Sequence, residues 1–418
     1  MSARFSLVYP TRDRPEFVRR ALRILETQRH DSFEVIVCDN YVDPALSCEQ
    51  ICRDSSLANL IYVRPPQPVG MVDNWTHALQ SARGEYVCYL TDKMFVLPDG
   101  LGYIEQAIDS AGAPDIVSWN SDAFNPASFD DYFGDGLYFS MSSDARSGEF
   151  QPFSPADELD RRGRAEVART EQSSSDYARG KIVFGAYRRE LVQRIVHRYG
   201  ALFHNISPDY TSMVLGLTEA HDAIHLAMSC VVSVNTDISN GTLSDTNDVA
   251  ALGFLNSLAG GAEAILPNML VPGLYASLHN WVAHDLLTLK RAFGLEFGFN
   301  TTNWLAYCWE DIYRPGRQWS APGVEAEHKR RLRAFLQSLD RSAAAEVRAR
   351  IAARARAKSG KRPRRMPLSI TLGRVRQRLA PPSTIPDVPA EPDITAAPAV
   401  IAAPSIYAAV ESFVAARS

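Results

Sequence analysis

The sequence predicts an α/β fold, a mostly parallel sheet flanked by helices, followed by a helical C-terminal region and a disordered tail. Over the first 120 residues, short apolar segments alternate with amphipathic segments of about a dozen residues, which is typical of βαβ units. The short segments are continuously apolar, as in strands that are covered on both faces. We assign the α/β domain to residues 1–244, the helical region to residues 245–358 and the tail to residues 359–418.

Each strand is predicted from an apolar segment bounded by turn residues, and each helix from apolar residues that recur every three or four positions. The predicted strands are Phe5–Tyr9, Phe33–Cys38, Leu60–Val63, Tyr86–Leu90, Ile116–Trp119 and Ile224–Val234. The predicted helices are Pro15–Gln28, Asp43–Asp54, Gly70–Ala82, Pro98–Ala111, Arg189–Tyr199 and Pro208–Leu217. Pro15 suits the first turn of its helix, where no N–H donor is required.

The pattern changes after the fifth predicted strand. Between Ser121 and Gly180 the periodicity is lost, and we expect an irregular insertion there. Residues Asp245–Ile312 are mainly helical by pattern, and Glu325–Lys358 has the pattern of one basic helix. Three tryptophans are expected in the core of the helical region: Trp281, Trp304 and Trp309.

The C-terminal residues are first basic and then rich in proline and alanine. Lys and Arg are dense from Lys358 to Arg378, whereas Ala380–Pro404 has too little apolar surface to order itself. Ile406–Ala416 has the pattern of a short amphipathic helix. The basic stretch suits a solvated helix or attraction to anionic lipid headgroups. Nucleic acid is not expected as a partner, because the basic stretch lacks interleaved aromatic residues and the net charge is -4.

The composition is that of a globular protein with a sizeable core, at 46% hydrophobic and 22% charged residues. Six cysteines without a second Cys/His pair at zinc spacing indicate reduced thiols and a cytoplasmic location. We expect neither a signal peptide nor a spanning helix, because no sufficiently long apolar segment is present. Peripheral attachment at the inner face of a membrane is the alternative that the basic stretch adds.

Polar and charged residues follow the predicted strands, at the carboxyl ends where open α/β sheets bind ligands. The loop after the first strand consists of Pro10, Thr11, Arg12, Asp13 and Arg14. Its backbone N–H groups and two guanidinium groups could contact a base or a phosphate, and the alternative is a capped turn with solvated charges. After the second strand, Asp39 can accept from a ribose hydroxyl or a base imide, or can serve a local turn.

Further candidates lie at later strand and helix ends. Asn74 follows the turn at Gly70, and an inward-facing Trp75 would direct Asn74 toward the sheet edge. The fourth strand ends in Thr91, Asp92, Lys93 and Met94, which makes Asp92 a site candidate. Asp209 lies in the first turn of a predicted helix, where the helix dipole by itself favours an acid.

Taken in order, these segments resemble the family-2-type glycosyltransferases of the GT-A fold. The resemblance rests on Pro10–Arg12, Val35–Asn40, Asn74–Trp75, Gly84–Asp92 and Ser207–Tyr210, and it does not cover the C-terminal third. It implies transfer of a sugar from a nucleotide sugar, with a UDP-sugar favoured, to a glycan or lipid-linked acceptor. It also implies inversion at the anomeric carbon and a place in surface polysaccharide assembly.

The resemblance gives the candidates their roles. Asp209 is expected to be the general base, Asp39 to contact the nucleotide and Asp92 to lie on the donor side. If Asp92 is the first acid of the family's Asp-x-Asp motif, Met94 replaces the second, and a thioether is a poor ligand for Mg²⁺ or Mn²⁺. If the motif begins one residue earlier, Thr91 and Lys93 replace both acids. Asp92 is therefore the one candidate metal ligand, and Lys93 is a candidate to supply positive charge to the diphosphate in place of a metal.

Two other classes of protein are alternatives to a glycosyltransferase. A non-catalytic GT-A-like protein would bind a nucleotide sugar or assist an assembly without turnover. A nucleotidyltransferase would use a related sheet, but the loop of residues 10–14 lacks the glycines that such an enzyme requires.

Overall fold

The computed structural model describes residues 3–140, 149–167, 175–360 and 399–417. Within these residues the strands are β1 (Phe5–Thr11), β2 (Phe33–Asp39), β3 (Leu60–Val63), β4 (Tyr86–Tyr89), β5 (Met94–Val96), β6 (Ile116–Ser128), β7 (Asp131–Ser140), β8 (Phe150–Pro152), β9 (Gly185–Arg188), β10 (Ala223–Val234) and β11 (Ala399–Ala403).

The helices of the described residues follow the same chain order. They are α1 (Pro15–Leu25), α2 (Glu49–Asp54), α3 (Met71–Leu79), α4 (Gly100–Ala111), α5 (Pro155–Gly163), α6 (Ser175–Ala178), α7 (Arg189–Tyr199), α8 (Pro208–Glu219), α9 (Asn240–Thr246), α10 (Asp248–Asn256), α11 (Gly261–Ile265), α12 (Leu278–Phe293), α13 (Thr301–Ile312), α14 (Pro322–Ser338), α15 (Arg341–Gly360) and α16 (Ile406–Arg417). Short 3₁₀ turns cover Pro44–Leu46, Ile182–Phe184 and Leu266–Asn268.

One mixed sheet organises the molecule. Its strands lie in the order β11-β7-β6-β9-β4-β1-β2-β3, and β10 pairs with β5, β6 and β8. Parallel pairs join β1 to β2, β2 to β3 and β1 to β4. The chain proceeds from β1 to β3 in one direction and then crosses to β4 on the other side of β1. The topological switch point, where open α/β sheets bind ligands, therefore lies between β1 and β4.

Alternate side chains of the central strands enter two apolar layers. Leu7 and Val35 pack on one face of the sheet with residues of α1, α2 and α4. Val8 and Ile36 pack on the other face with residues of α3, α7, α8, α12 and α13. Because this second layer is continuous from the sheet to α13, the helical region packs directly against the α/β part.

The three tryptophans expected in the core of the helical region differ in burial. Trp281 and Trp304 are each 4% exposed, whereas Trp309 is only half-buried and contacts Tyr313.

The prediction of an irregular insertion over residues 121–180 is wrong for most of its described part. β6 continues to Ser128 and returns as β7, and β8 and α5 follow. The hairpin turn is held by Asp131, whose Oδ1 accepts from the N–H groups of Phe133 and Gly134 at 3.1 and 3.0 Å. These strands are partly exposed and rich in Asp, Asn, Ser and Gly, which by themselves favour turns. The local pattern therefore indicated irregular structure where strands are present. Residues 141–148 and 168–174 lie outside the described residues.

One part of the C-terminal prediction is also wrong. The single basic helix expected over Glu325–Lys358 is divided into α14 and α15, because Asp340 caps α15 by accepting from the Ala343 N–H at 2.8 Å. Within the tail expected to be disordered, residues 399–403 are an exception, since they form β11, which pairs antiparallel with β7 and so covers an edge of the sheet. α16 lies where a short helix is predicted, and residues 361–398 lie outside the described residues.

The structure describes the state of the cysteines and the apolar character of the helices. All six cysteines are buried free thiols. Within the described ranges, no single helix combines the length and apolar character needed to cross a membrane. One pair, Asp248–Asn256 with Gly261–Asn268, meets that test only as two helices bent by 89°.

The turn before β4 makes a testable close approach to β1 at Gly84. A Cβ at Gly84 would lie 2.6 Å from the Ser6 nitrogen and 2.7 Å from the Phe5 carbonyl carbon, both of which are backbone atoms of a central strand. The Gly84 N–H also donates to the buried Glu34 carboxylate at 3.0 Å. We expect Gly84→Ala to lower the free energy of unfolding by about 3 kcal/mol, as overpacking against rigid backbone does. Urea denaturation measures this change.

Gly102→Ala is the matched control for this substitution. Gly102 is exposed on α4, and a Cβ there would meet open space. We expect it to raise the free energy of unfolding by about 0.5 to 1 kcal/mol, because alanine favours the helix over glycine. Equal effects of the two substitutions would contradict the close approach at Gly84.

Candidate functional site

The carboxyl ends of β2, β1 and β4 lie side by side at one edge of the sheet. Thr11 and Asp39 are register partners in the β1–β2 pair. Thr11 Oγ1 donates to Asp92 Oδ2 at 3.1 Å, although the two residues are 81 positions apart in the chain. The structure thus brings together three of the residues that the sequence identified as candidates, at the switch point of the sheet.

Both carboxylate oxygens of Asp92 are engaged. Oδ2 accepts from Thr11, and Oδ1 lies 3.3 Å from the guanidinium group of Arg14. The same guanidinium donates to the Ile238 carbonyl oxygen at 2.6 Å. Arg14 therefore connects the loop after β1, the end of β4 and the loop after β10, and it balances the charge of a carboxylate that is only 4% exposed.

Pro10 and Thr11, which the sequence predicted in the loop, are the last residues of β1. The loop is therefore residues 12–14, and it is fixed by contacts with neighbouring loops. Asp13 adopts a positive φ of 53°, and its Oδ1 accepts from the Val42 N–H at 2.8 Å. Arg12 donates to the Val69 carbonyl oxygen, which also accepts from the Asn40 side chain at 2.9 Å. Burial lowers the pKa of Arg12 while the Asp13 charge opposes that effect, and a guanidinium group stays charged at neutral pH.

Asp39 is fully buried at the end of β2. Its Oδ2 accepts from the Cys48 N–H at 2.7 Å, from Tyr62 at 3.1 Å and from Ser47 at 3.2 Å. Its Oδ1 is buried without a hydrogen-bond partner in the described part of the chain. A buried carboxylate oxygen without a donor is energetically costly, so Asp39 has an acceptor available for a donor from outside the chain.

Asn74 lies inside the fold and not at the open edge that the sequence predicted for it. It is 4% exposed, and its Oδ1 accepts from the Cys38 thiol at 3.1 Å. The contact joins α3 to β2. Trp75 does face inward as expected, stacked on Tyr89 with ring centroids 5.1 Å apart.

The residues after Asp92 do not form a site for a hard divalent cation. Met94 is 2% exposed and packs in the apolar core, where β5 pairs with β10. Mg²⁺ and Mn²⁺ prefer several oxygen ligands, whereas one carboxylate is present here and it is already paired with Arg14. Across the described ranges, no group of three His, Cys, Asp or Glu side chains is arranged as metal ligands. Lys93 is half-buried, and its carbonyl oxygen accepts from the Val234 N–H at 2.9 Å.

Asp209 lies in the first turn of α8 with its side chain 28% exposed. The loop before α8 packs at the carboxyl end of β4, because the Phe203 ring contacts Tyr89 at 4.8 Å and Trp75 at 5.3 Å. The fold therefore brings the segment that leads into α8 to the end of β4, the strand that precedes Asp92. Lys181 Nζ lies 3.4 Å from Asp209 Oδ2.

The segment that leads into α8 is anchored by Asp285 of α12. The Asp285 carboxyl group accepts from the Ile206 and Ser207 N–H groups at 3.2 and 2.8 Å. Burial raises the pKa of Asp285 to about 8, although these hydrogen bonds oppose the shift.

Sequence reasoning missed Lys181 and Asp285. Lys181 lies at the start of an apolar segment, two residues after Arg179, and Asp285 lies within an apolar helical pattern. No local pattern links either of them to Asp209. The only available signal was their position, because charged side chains in apolar segments are rarely buried unless they are paired.

Comparisons with known proteins were made for the sequence and for the fold. Residues 6–147 match the family model described as Glycosyl transferase family 2. None of the curated proteins matches the chain. Among solved structures, TarS 1-349 from S. aureus is 15% identical with a TM-score of 0.43, and the alignment covers 85% of this chain and 92% of that chain. The mannosyltransferase PcManGT from Pyrobaculum calidifontis, in complex with GDP-Man and Mn²⁺, is 17% identical with a TM-score of 0.38, over 80% and 86% of the two chains.

The matched segment contains β1 to β7 and the cluster of Thr11, Arg14, Asp39 and Asp92. Residues 6–147 thus match the family model of Glycosyl transferase family 2, and they contribute β1 to β7 to the GT-A-like α/β sheet of this protein.

Proposed function

We propose that this protein is an inverting glycosyltransferase that moves a sugar from a nucleotide-sugar donor to a hydroxyl group of a glycan or lipid-linked acceptor. The observation that carries the proposal is the arrangement of Thr11, Asp39 and Asp92 at the switch point of the GT-A-like sheet, with the segment that leads into α8 and Asp209 packed at the end of β4. This arrangement offers a nucleotide contact, a donor-side acid and a partly exposed base.

The proposed reaction requires one proton transfer and one displacement. The Asp209 carboxylate takes the proton of the acceptor hydroxyl while the acceptor oxygen forms its bond to the anomeric carbon. The bond from that carbon to the diphosphate oxygen breaks, and its electron pair leaves with the nucleoside diphosphate. Attack from the face opposite the leaving group inverts the anomeric configuration.

On the donor side, we propose that Asp39 Oδ1 accepts from the base or ribose of a uridine nucleotide. Arg14 neutralises Asp92 and so removes a charge that would repel the diphosphate. Arg12 and Lys93 supply positive charge to the leaving group, in the role that a divalent cation would have. No step of the proposed reaction passes through a metal, because the ligands around Asp92 do not fit one.

The wider role that we propose is surface polysaccharide assembly at the inner face of a membrane. Two arginines of α15 are engaged within the fold, since Arg354 pairs with Glu310 at 2.6 Å and Arg350 contacts Asn303. The lipid contact would therefore come from the basic stretch of residues 358–378. We expect cosedimentation with anionic phosphatidylserine vesicles that is lost when the Lys and Arg of residues 361–378 are replaced by Gln. Binding that survives this replacement would contradict the assignment.

The nucleotide site can be tested by calorimetric titration with UDP, with Mn²⁺ and with EDTA. We expect equal affinity in the two conditions, because arginine and lysine provide the positive charge. Affinity that requires Mn²⁺ would show that Asp92 organises a cation and would contradict the charge assignment. Absence of binding in both conditions would contradict the uridine assignment.

Met94→Asp is a useful variant in the same titration because it restores the second acid of the motif. Since Met94 is buried in the core, we expect this variant to lose about 3 kcal/mol or more of unfolding free energy and to gain no Mn²⁺ dependence. Met94→Leu is the matched control, and it should cost less than about 1.5 kcal/mol.

Asp209→Asn tests the base directly. We expect sugar transfer to fall by about 10²-fold or more while UDP affinity is unchanged, because the residue acts on the acceptor and not on the donor. Asp157→Asn is the matched control, since Asp157 is an exposed acid in the first turn of α5. Transfer that survives Asp209→Asn would reject the base assignment. A wild-type protein that binds UDP-sugar without turnover would support the non-catalytic alternative.

A further inference from the structure

A fully buried lysine lies directly behind Asp209. Lys181 is 0% exposed, and its Nζ lies 3.4 Å from Asp209 Oδ2. The same Nζ lies 4.0 Å from the centroid of the Tyr177 ring and 3.7 Å from that of the Tyr210 ring. An ammonium group is very rarely buried to this extent without a partner of opposite charge. Two aromatic faces and one carboxylate therefore define a specific position for this cation.

The backbone that carries Lys181 is also fixed. Gly180 adopts a positive φ of 78°, its N–H donates to Ser118 Oγ at 3.0 Å and its carbonyl oxygen accepts from the Tyr187 hydroxyl at 2.5 Å. The buried Arg162 of α5 donates to the Tyr177 and Arg179 carbonyl oxygens at 3.2 and 2.9 Å. Both ends of the Lys181 side chain are therefore held, at the backbone and at Nζ.

The charges around this cation determine its protonation. Burial by itself lowers the pKa of Lys181, but Tyr177, Tyr210 and Asp209 outweigh that effect and raise the pKa above its ordinary value. Arg162 opposes them, and it is itself paired with the buried Glu158 at 2.7 Å.

Other elements packed on α8 place polar groups near Asp209 as well. Tyr187 donates to the Ser212 carbonyl oxygen at 3.2 Å, and Asp285 lies under the start of α8. Among the described residues, Lys181 is the one that forms a direct ion pair with the Asp209 carboxylate.

We propose that Lys181 is a positioning residue for sugar transfer, which holds Asp209 Oδ2 so that Oδ1 takes the proton of the acceptor hydroxyl. The proposal rests on the proposed function, in which Asp209 is the base. The ammonium group restricts the rotamer of a carboxylate that is otherwise 28% exposed and free to turn into solvent.

The test compares Lys181→Met with Lys181→Arg in the full-length protein. Met has similar length and no charge, so we expect kcat to fall by about 10²-fold while UDP affinity is unchanged. The fall should lie in kcat with little change in the KM for the acceptor, because the ion pair orients the base and does not bind the substrate. Lys181→Arg should recover part of kcat, because a guanidinium group can still pair with Asp209. A purely structural role for Lys181 predicts a loss of stability without a selective fall in kcat.

The double variant Lys181→Met with Asp209→Asn separates this role from others. If Lys181 acts through Asp209, the double variant transfers sugar as slowly as Asp209→Asn alone. Lys290→Met is the matched control, because Lys290 Nζ also lies over an aromatic ring, 4.6 Å from that of Phe297, and donates to the Leu295 and Phe297 carbonyl oxygens. It should leave kcat unchanged, and urea denaturation checks that each variant is folded.

The experiments distinguish an error in the role of Lys181 from an error in the proposed function. If Asp209→Asn abolishes transfer but Lys181→Met leaves kcat unchanged, the role of Lys181 is rejected and the proposed function stands. If Asp209→Asn retains transfer, or the wild-type protein has none, the proposed function is rejected and the role of Lys181 with it.

Discussion

The parallel pairing of β1 with β2 on one side and with β4 on the other is the constraint on which the site depends. Parallel strands end at the same edge, so this pairing brings Thr11, Asp39 and Asp92 together although they are distant in the chain. The turn before β4 can lie this close to β1 because Gly84 has no side chain. A shift of register at either pair would move Thr11 away from Asp39 or from the segment that carries Asp92, and the cluster would not form.

The pairing of buried charges is a second constraint on the site. Each buried or partly buried acid near the site has its own partner within the protein: Asp92 has Arg14 and Thr11, and Asp209 has Lys181. Asp39 differs in part, because its Oδ2 accepts three hydrogen bonds whereas its Oδ1 has no hydrogen-bond partner among the described residues. A buried carboxylate is tolerated only when it is paired, and each acid of this site accordingly has its own cation or its own set of hydrogen-bond donors. The apolar Met94 is consistent with this constraint, because an acid at position 94 would be buried in the core without a partner.

The helical region is part of the same packing unit. α12 and α13 continue the apolar layer that begins at Val8 and Ile36, and Asp285 of α12 holds the start of the helix that carries Asp209. The family match ends at residue 147, yet residues far beyond it determine where the proposed base lies. The C-terminal strand β11 extends this dependence to the other side of the sheet, where it covers β7.

The sequence by itself determined the fold class, the resemblance to family 2 glycosyltransferases and most elements before residue 120. Apolar periodicity and turn residues encode local structure, and the strand ends carry recognisable motifs. It also identified Thr11, Asp39 and Asp92 as candidates, which the structure places together. Only the tertiary structure decided that Asn74 and Met94 lie inside the fold, that residues 121–140 contain a hairpin and that Lys181 meets Asp209. These features depend on contacts between distant segments and on burial, and neither is encoded in the local pattern that a sequence displays.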